Sequence, residues 1–151
     1  MKNTSLCYLE ENGKYLMLHR VKKKNDENQD KWIGIGGKFE DKESPYDCAR
    51  REIFEEAGVV ARRLEYRGVV TFVSDVYPTE YMHLFTCSDF LGEINKDCDE
   101  GELLWVEKTK IESLNIWEGD KIFLKRLSDS HPFFSLKLEY KGDTLVSYTL
   151  E

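Results

Sequence analysis

Two short apolar runs, Leu6 to Leu9 and Tyr15 to Leu18, flank the polar segment Glu11-Asn12-Gly13-Lys14. The Asn-Gly pair there marks a hairpin turn between two strands. From Lys22 to Lys31 the chain is almost wholly polar and has no period, which predicts an exposed loop. A charged run of this kind is first a solvated surface, although its lysines are also suited to meet a triphosphate. The segment Ser44 to Ala57 carries concordant helix signals: Ser44 to cap, Pro45 for the first turn, Asp47 at the positive end and Gly58 to stop it. Tyr46, Ala49, Ile53 and Ala57 recur at threes and fours, predicting one buried stripe.

Further on, Leu64 to Val73 and Glu80 to Phe90 are rich in β-branched and aromatic residues, with a break near Pro78, and read as two strands. A shorter strand is predicted at Leu103 to Val106, then a helical turn near Lys110. A helix from about Glu118 to Leu127 follows, with Phe123, Leu124 and Leu127 on one face. Phe133 to Tyr140 and Thr144 to Leu150 alternate around Lys141-Gly142-Asp143, a second hairpin signature. There is no internal repeat and no low-complexity segment.

Length and charge narrow the field. At 151 residues, 40% of them hydrophobic, the chain suits one domain over residues 1–151. A formal net charge of -7 argues against a nonspecific binder of nucleic acid polymers, so any phosphate bound here needs help from cations. The four cysteines show no C-x-x-C spacing and no pairing with the three scattered histidines, which reads as reduced and cytoplasmic. No apolar stretch approaches the roughly 18 residues of a membrane span, and no partnership with a membrane is expected. His19, His83 and His131 lack ligand spacing and receive no role.

The chemistry concentrates on the helix. Glu52, Glu55 and Glu56 lie at i, i+3 and i+4, so their side chains share one side beside Arg51. One like-charge pair at about 4 Å costs roughly 4 kcal/mol at an effective dielectric of 20, less when water screens it. Oxygen ligands at this spacing suit a hard divalent cation, Mg²⁺ first, with Mn²⁺ able to substitute. The plainer reading is a solvated glutamate face balanced by Arg50 and Arg51. Upstream, Gly34, Gly36 and Gly37 in Trp32-Ile33-Gly34-Ile35-Gly36-Gly37-Lys38 allow close approach of a phosphate or metal to the backbone.

Joined, these features run Gly37, five residues, Glu43, seven residues, then Arg51-Glu52-Ile53-Phe54-Glu55-Glu56-Ala57-Gly58-Val59. This resembles the Nudix box, G-x5-E-x7-R-E-U-x-E-E-x-G-U with U aliphatic, at every specified position over residues 37–59. The resemblance implies an α/β/α sandwich with a mixed central β-sheet flanked by helices. It also implies a hydrolase acting on acid anhydrides, with Mg²⁺ held by Glu52, Glu55 and Glu56 and a further ligand from the Gly37 carbonyl. Glu43 and Arg51 then form a structural brace; Arg51 alternatively contacts a phosphate. Glu55 or Glu52 serves as the catalytic base, with Glu100 of the acidic loop Asp97-Cys98-Asp99-Glu100 as a rival base or ligand. For Glu100 an exposed loop acid is the plainer reading.

Outside the box, Lys31 to Lys38, Leu104-Trp105-Val106, Ile116-Trp117-Glu118-Gly119-Asp120 and the closing Val146-Ser147-Tyr148-Thr149-Leu150 resemble the MutT-type 8-oxo-dGTP diphosphatase branch. That likeness implies nucleotide-pool sanitation, in which an oxidised purine nucleoside triphosphate yields the monophosphate and pyrophosphate. Trp117 would stack on the purine, Asp120 would bond its edge, Phe72 and Tyr81 would wall the pocket, and Lys38 would meet the substrate. A stacking face and a nearby carboxylate are also what a purine requires physically, while core packing and helix capping are the structural alternatives for Trp117 and Asp120. Two positions depart from the branch: Ile33 stands where a pocket asparagine is expected, and Gly119 where a second acid is expected beside Asp120. Without that amide the base edge cannot be read in the same manner. An ADP-sugar or dinucleoside polyphosphate hydrolase is the competing enzyme reading. A catalytically silent nucleotide-sensing or protein-binding module is the competing class, and either a monomer or a homodimer accommodates all of these.

Overall fold

The computed structural model describes residues 1–22, 26–95 and 97–151, so Lys23 and Lys24 of the polar loop lie outside the described residues. Strands β1 (Lys2–Glu11) and β2 (Lys14–His19) form the first hairpin, turning through Asn12 and Gly13 at φ of 52° and 74°. The short strands β3 (Trp32–Ile33) and β4 (Ile35–Lys38) follow, then helix α1 (Pro45–Ala57), the long strands β5 (Val60–Ser74) and β6 (Glu80–Leu91), and β7 (Asp97–Cys98) with β8 (Gly101–Glu107). A 3₁₀ turn (Lys108–Ser113), helix α2 (Glu118–Ser128) and the hairpin of β9 (Phe134–Lys141) and β10 (Thr144–Leu150) complete the chain.

The sheet runs β10-β9-β5-β6-β1-β2-β8-β7, with β3 on β2 and β4 on β1. The pairs β1–β6 and β5–β9 are parallel and the rest antiparallel, so the sheet is mixed. Its two faces carry separate cores. Leu6 and Tyr8 of β1 join Phe123, Leu124 and Leu127 of α2 on one side, whereas Cys7 and Leu9 join Ala49, Ile53 and Ala57 of α1 on the other. That alternation explains why β1 reads as an unbroken apolar run: a strand covered on both faces needs no polar positions. The expected sandwich is therefore the observed one.

β1 also divides one of its edges. Thr4 to Cys7 pair with β4, whereas Glu10 and Glu11 pair with β2. This split sets the glycine-rich strand β4 between β1 and the start of α1.

Helix α1 begins as its sequence predicts. Ser44 Oγ accepts from the Asp47 N–H at 3.1 Å, and Asp47 Oδ2 accepts from the Ser44 N–H at 3.0 Å, closing a capping box. Gly58, at φ 74°, ends the helix by donating its N–H to the Phe54 carbonyl. The buried stripe differs from the prediction at one position. Tyr46 is partly exposed and lies edge-on against Tyr66 and Phe85, while Cys48 and Glu56 are buried with Ala49, Ile53 and Ala57. Tyr46 sits in the first turn, beyond the densest part of the core, so its ring caps that core's margin. Strand β5 starts at Val60, ahead of the predicted Leu64, because Val60, Ala61 and Arg63 pair with β6 across a register shift at Arg62, whose side chain binds Asp89 at 2.7 Å. Among the described residues no helix is long and apolar enough to cross a membrane.

Candidate active site

Arg51 is the hub of the box. Its Nε and Nη2 donate to Glu43 Oε2 and Oε1 at 2.8 and 2.9 Å, a bidentate pair, and Nη2 also reaches the Lys38 carbonyl at 3.0 Å. Glu43 accepts in turn from the Glu40 N–H, tying the loop before α1 to the helix. The Arg51 hydrogen bond holds the Glu43 carboxyl below its ordinary pKa, and the same contact raises that of Arg51. Nη1 of Arg51 donates to Glu52 Oε1 at 2.6 Å and to Glu55 Oε2 at 3.2 Å.

The three box glutamates occupy different environments. Glu55 is largely exposed. Glu52 is more deeply set and its pKa is raised, chiefly by burial. It lies against Gly37, where an added Cβ would stand 2.5 Å from Glu52 Oε1, so a side chain there would force the carboxylate to shift. Glu56 is buried; its Oε2 accepts from the Gly36 N–H at 3.1 Å and it faces Glu100. Burial and that second carboxyl push the Glu56 pKa up to about 10. The helical spacing thus brings Glu52 and Glu55 to Arg51 and Glu56 to Glu100, and among the described residues no three acids, histidines or cysteines close on one point.

The donor set nevertheless fits a hard cation. Every acidic group is an oxygen ligand, Gly37 lets the Glu52 carboxylate lie against the backbone, and the buried Glu56–Glu100 pair carries a charge penalty that a divalent ion relieves. Glu100 is tied rather than loosely solvated: Arg20 Nη1 pairs with its Oε2 at 3.2 Å, and Arg20 Nη2 holds Asp26 at 2.7 Å. Its acidic loop is a small hairpin in which Asp97 and Cys98 pair with Glu102 and Gly101.

A cavity of about 870 Å³ runs from Gly37, Arg51, Glu52 and Glu100 to Phe72, Trp117 and Asp120. Lys38 is exposed on its rim. Trp117, largely buried, donates Nε1–H to Asn28 Oδ1 at 2.8 Å, with Lys31 Nζ 4.8 Å above its ring. Lys31 therefore meets an aromatic face and the Asn115 side chain. The described part of the polar loop also departs from the predicted exposed coil: Asp26 and Asn28 anchor it to Arg20 and Trp117, turning it onto the cavity. Asp120 does not cap α2, whose N-cap is Trp117. It is buried at the cavity wall, and desolvation, partly offset by Lys31, pushes its pKa up to about 8.

Tyr81 is not brought to this site. Side chains alternate along β6, and Glu80 and Met82 line the cavity, which turns Tyr81 to the opposite face. Tyr140, not anticipated, does line it, with its ring 5.2 Å from Phe72 and edge-on to Trp117 at 5.5 Å. So do Thr4 and Glu80, linked by a 2.7 Å hydrogen bond from the Thr4 hydroxyl.

The family described as the NUDIX domain matches residues 2–127. An uncharacterized Nudix hydrolase, YvcI of Bacillus subtilis, is 27% identical, covering 100% of this chain and 95% of its own. The oxidized purine nucleoside triphosphate hydrolase of Danio rerio is 29% identical over 80% of this chain and 78% of its own. Among solved structures, the mutator MutT protein of Bacillus halodurans superposes with a TM-score of 0.88 at 26% identity, covering 100% of this chain and 98% of that one.

Proposed function

This chain belongs to the Nudix hydrolase family, and on that premise we propose that its residues 1–151 form one domain that hydrolyses a purine nucleoside triphosphate, 8-oxo-dGTP or a related nucleotide, to the monophosphate and pyrophosphate. One observation carries the reading: a single cavity joins the carboxylate and glycine cradle to an aromatic wall with a buried acid. The first suits a charged phosphate chain and the second a purine. The kinship with an oxidized purine nucleoside triphosphate hydrolase supports the same substrate class.

Glu52, Glu55 and Glu56, with the Gly37 carbonyl, are the residues that would hold Mg²⁺ or Mn²⁺. When bound, that cation neutralises phosphate oxygens and lowers the pKa of an attacking water. The Glu43–Arg51 brace keeps the loop and helix in register, so that Glu52 stays against Gly37. Between Glu52 and Glu55, Glu52 is the proton acceptor the geometry favours, because it borders the cavity. Glu100, paired with Arg20 and facing Glu56, serves better to position its neighbour. At the other end Trp117 stacks on the base and Phe72, set edge-on to it, walls the pocket, while Asp120 bonds the base edge. With Ile33 in place of an amide, selection among purines rests on that edge.

The test is pyrophosphate release from 8-oxo-dGTP, dGTP, dATP, ADP-ribose and diadenosine polyphosphates, with Mg²⁺ and with EDTA. Cation-dependent pyrophosphate from the purine triphosphates supports the proposal. Preference for ADP-ribose overturns the substrate assignment, and turnover undiminished by EDTA overturns the metal role.

A further inference from the structure

The position beside Asp120 is shaped by a residue on another strand. The Gly119 N–H donates to the Tyr140 hydroxyl oxygen at 2.7 Å in a buried contact. An added Cβ at Gly119 would lie 2.8 Å from that oxygen and 2.5 Å from Leu138 Cδ1. Tyr140 thus takes the space that a side chain at position 119 would claim, and its ring is 4% exposed at the cavity wall.

A phenol hydroxyl has one proton to donate and ordinarily accepts one hydrogen bond. Here the accepting role is filled by Gly119, and among the described residues no protein group accepts the proton. Burial raises the Tyr140 pKa, so the proton is retained. Asp120, the neighbouring edge reader, is adaptable, because a carboxyl accepts when ionised and donates when protonated. Tyr140 has no such freedom and offers a donor only.

Resting on the nucleoside triphosphate reading above, we propose that Tyr140 is a specificity-determining residue, its Gly119-locked hydroxyl selecting 6-oxopurine over 6-aminopurine nucleotides. The phosphate chain runs toward Gly37 and Glu52, and the sugar is borne on the five-membered ring. The purine edge farthest from both, N1 with the group on C6, then reaches Asp120 and Tyr140. A 6-oxopurine offers O6 to the Tyr140 proton and N1–H to Asp120. A 6-aminopurine turns two donor hydrogens toward a hydroxyl whose accepting position is occupied. Asp120 can adapt to N1 of either base, and Tyr140 cannot adapt to the amino group.

The test compares the wild type with Tyr140→Phe, which deletes the donor, and Gly119→Ala, which keeps the phenol but displaces its oxygen. Steady-state rates are measured on dGTP, 8-oxo-dGTP, dATP and 8-oxo-dATP, and calorimetry reads the binding of dGMP and dAMP without metal. The wild type should favour the 6-oxo members of both sets. In each variant that preference should fall about 10-fold through KM and Kd, the size of one unmade hydrogen bond, with dATP and dAMP nearly unaffected. Equal losses for both base classes, an unchanged ratio in the folded variants, or a wild type without preference would each overturn the assignment. If the wild type binds dGMP selectively but hydrolyses none of the four triphosphates, the triphosphate reading fails and the role of Tyr140 in base selection stands. If it neither binds nor hydrolyses them, both fall.

Discussion

Replacing Asp120 by asparagine should make the protein less sensitive to rising pH. The ordinary aspartate pKa of 3.8 is pushed up to about 8 in the folded chain by burial, with Lys31 in opposition. Between those values the folded state keeps a proton that the unfolded state releases. Stability therefore declines as pH rises across the window, and the decline stops above the folded pKa. Each pH unit inside the window costs about 1.4 kcal/mol, so from pH 5 to pH 7 the wild type loses about 3 kcal/mol that Asp120→Asn does not. For a chain of this length that is a relative shift in Tm of roughly 6–12 °C. The other raised carboxyls, Glu52 and Glu56, are present in both proteins, and their contribution cancels in the comparison. Urea melts of the two proteins at pH 5, 6, 7 and 8 provide the assay. Parallel stability curves would refute the reasoning, since they would mean that Asp120 enters the folded state already charged.

Three further perturbations separate catalysis from folding. Glu56→Gln keeps an acceptor for the Gly36 N–H but removes a buried acid, so turnover should drop at least about 100-fold while Tm holds or rises; a lower Tm with turnover retained would make Glu56 purely structural. Gly37→Ala drives a methyl group into Glu52 Oε1 and should lower kcat by about 10-fold or more, with circular dichroism unchanged; full activity would show that Glu52 need not rest there. Trp117→Ala should raise KM for purine triphosphates more than it lowers kcat; an unaltered KM would return Trp117 to the core.

The parts of the site legible in the sequence are those whose partners are close in the chain. The capping box, the glycine stop and the Glu43–Arg51 pair all lie within a few turns of α1, where spacing alone determines who meets whom. Sites built across strands behave differently. Tyr81 and Met82 are equally plausible wall residues until the pairing register states which parity faces the cavity, and a shift of one position exchanges them. Tyr140 reads as an ordinary inward residue of an alternating strand, and its hydroxyl acquires meaning only when β9 lies beside β5 and under α2. Asn28 belongs to a polar stretch without a period, so its bond to Trp117 leaves no local trace. The missing acid at Gly119 was visible, whereas the tyrosine occupying its space was not.

The two parallel pairings have a bearing on how the enzyme is made. The β5–β6 hairpin is local, but β1 must find β6 with Lys2 beside Glu80, and β9 must find β5 with Phe134 beside Gly68. Pairings so far apart in the chain close large loops before contacts reward them, and they slow folding. Both ends of the cavity depend on them, because β1 carries β4 to the carboxylates and β9 carries Tyr140 to the aromatic wall. Pulse-labelled hydrogen exchange should accordingly find β5 and β6 protected first. Until β1 and β9 have docked, the β5–β6 hairpin has no cavity beside it, so the cavity should form only late in folding.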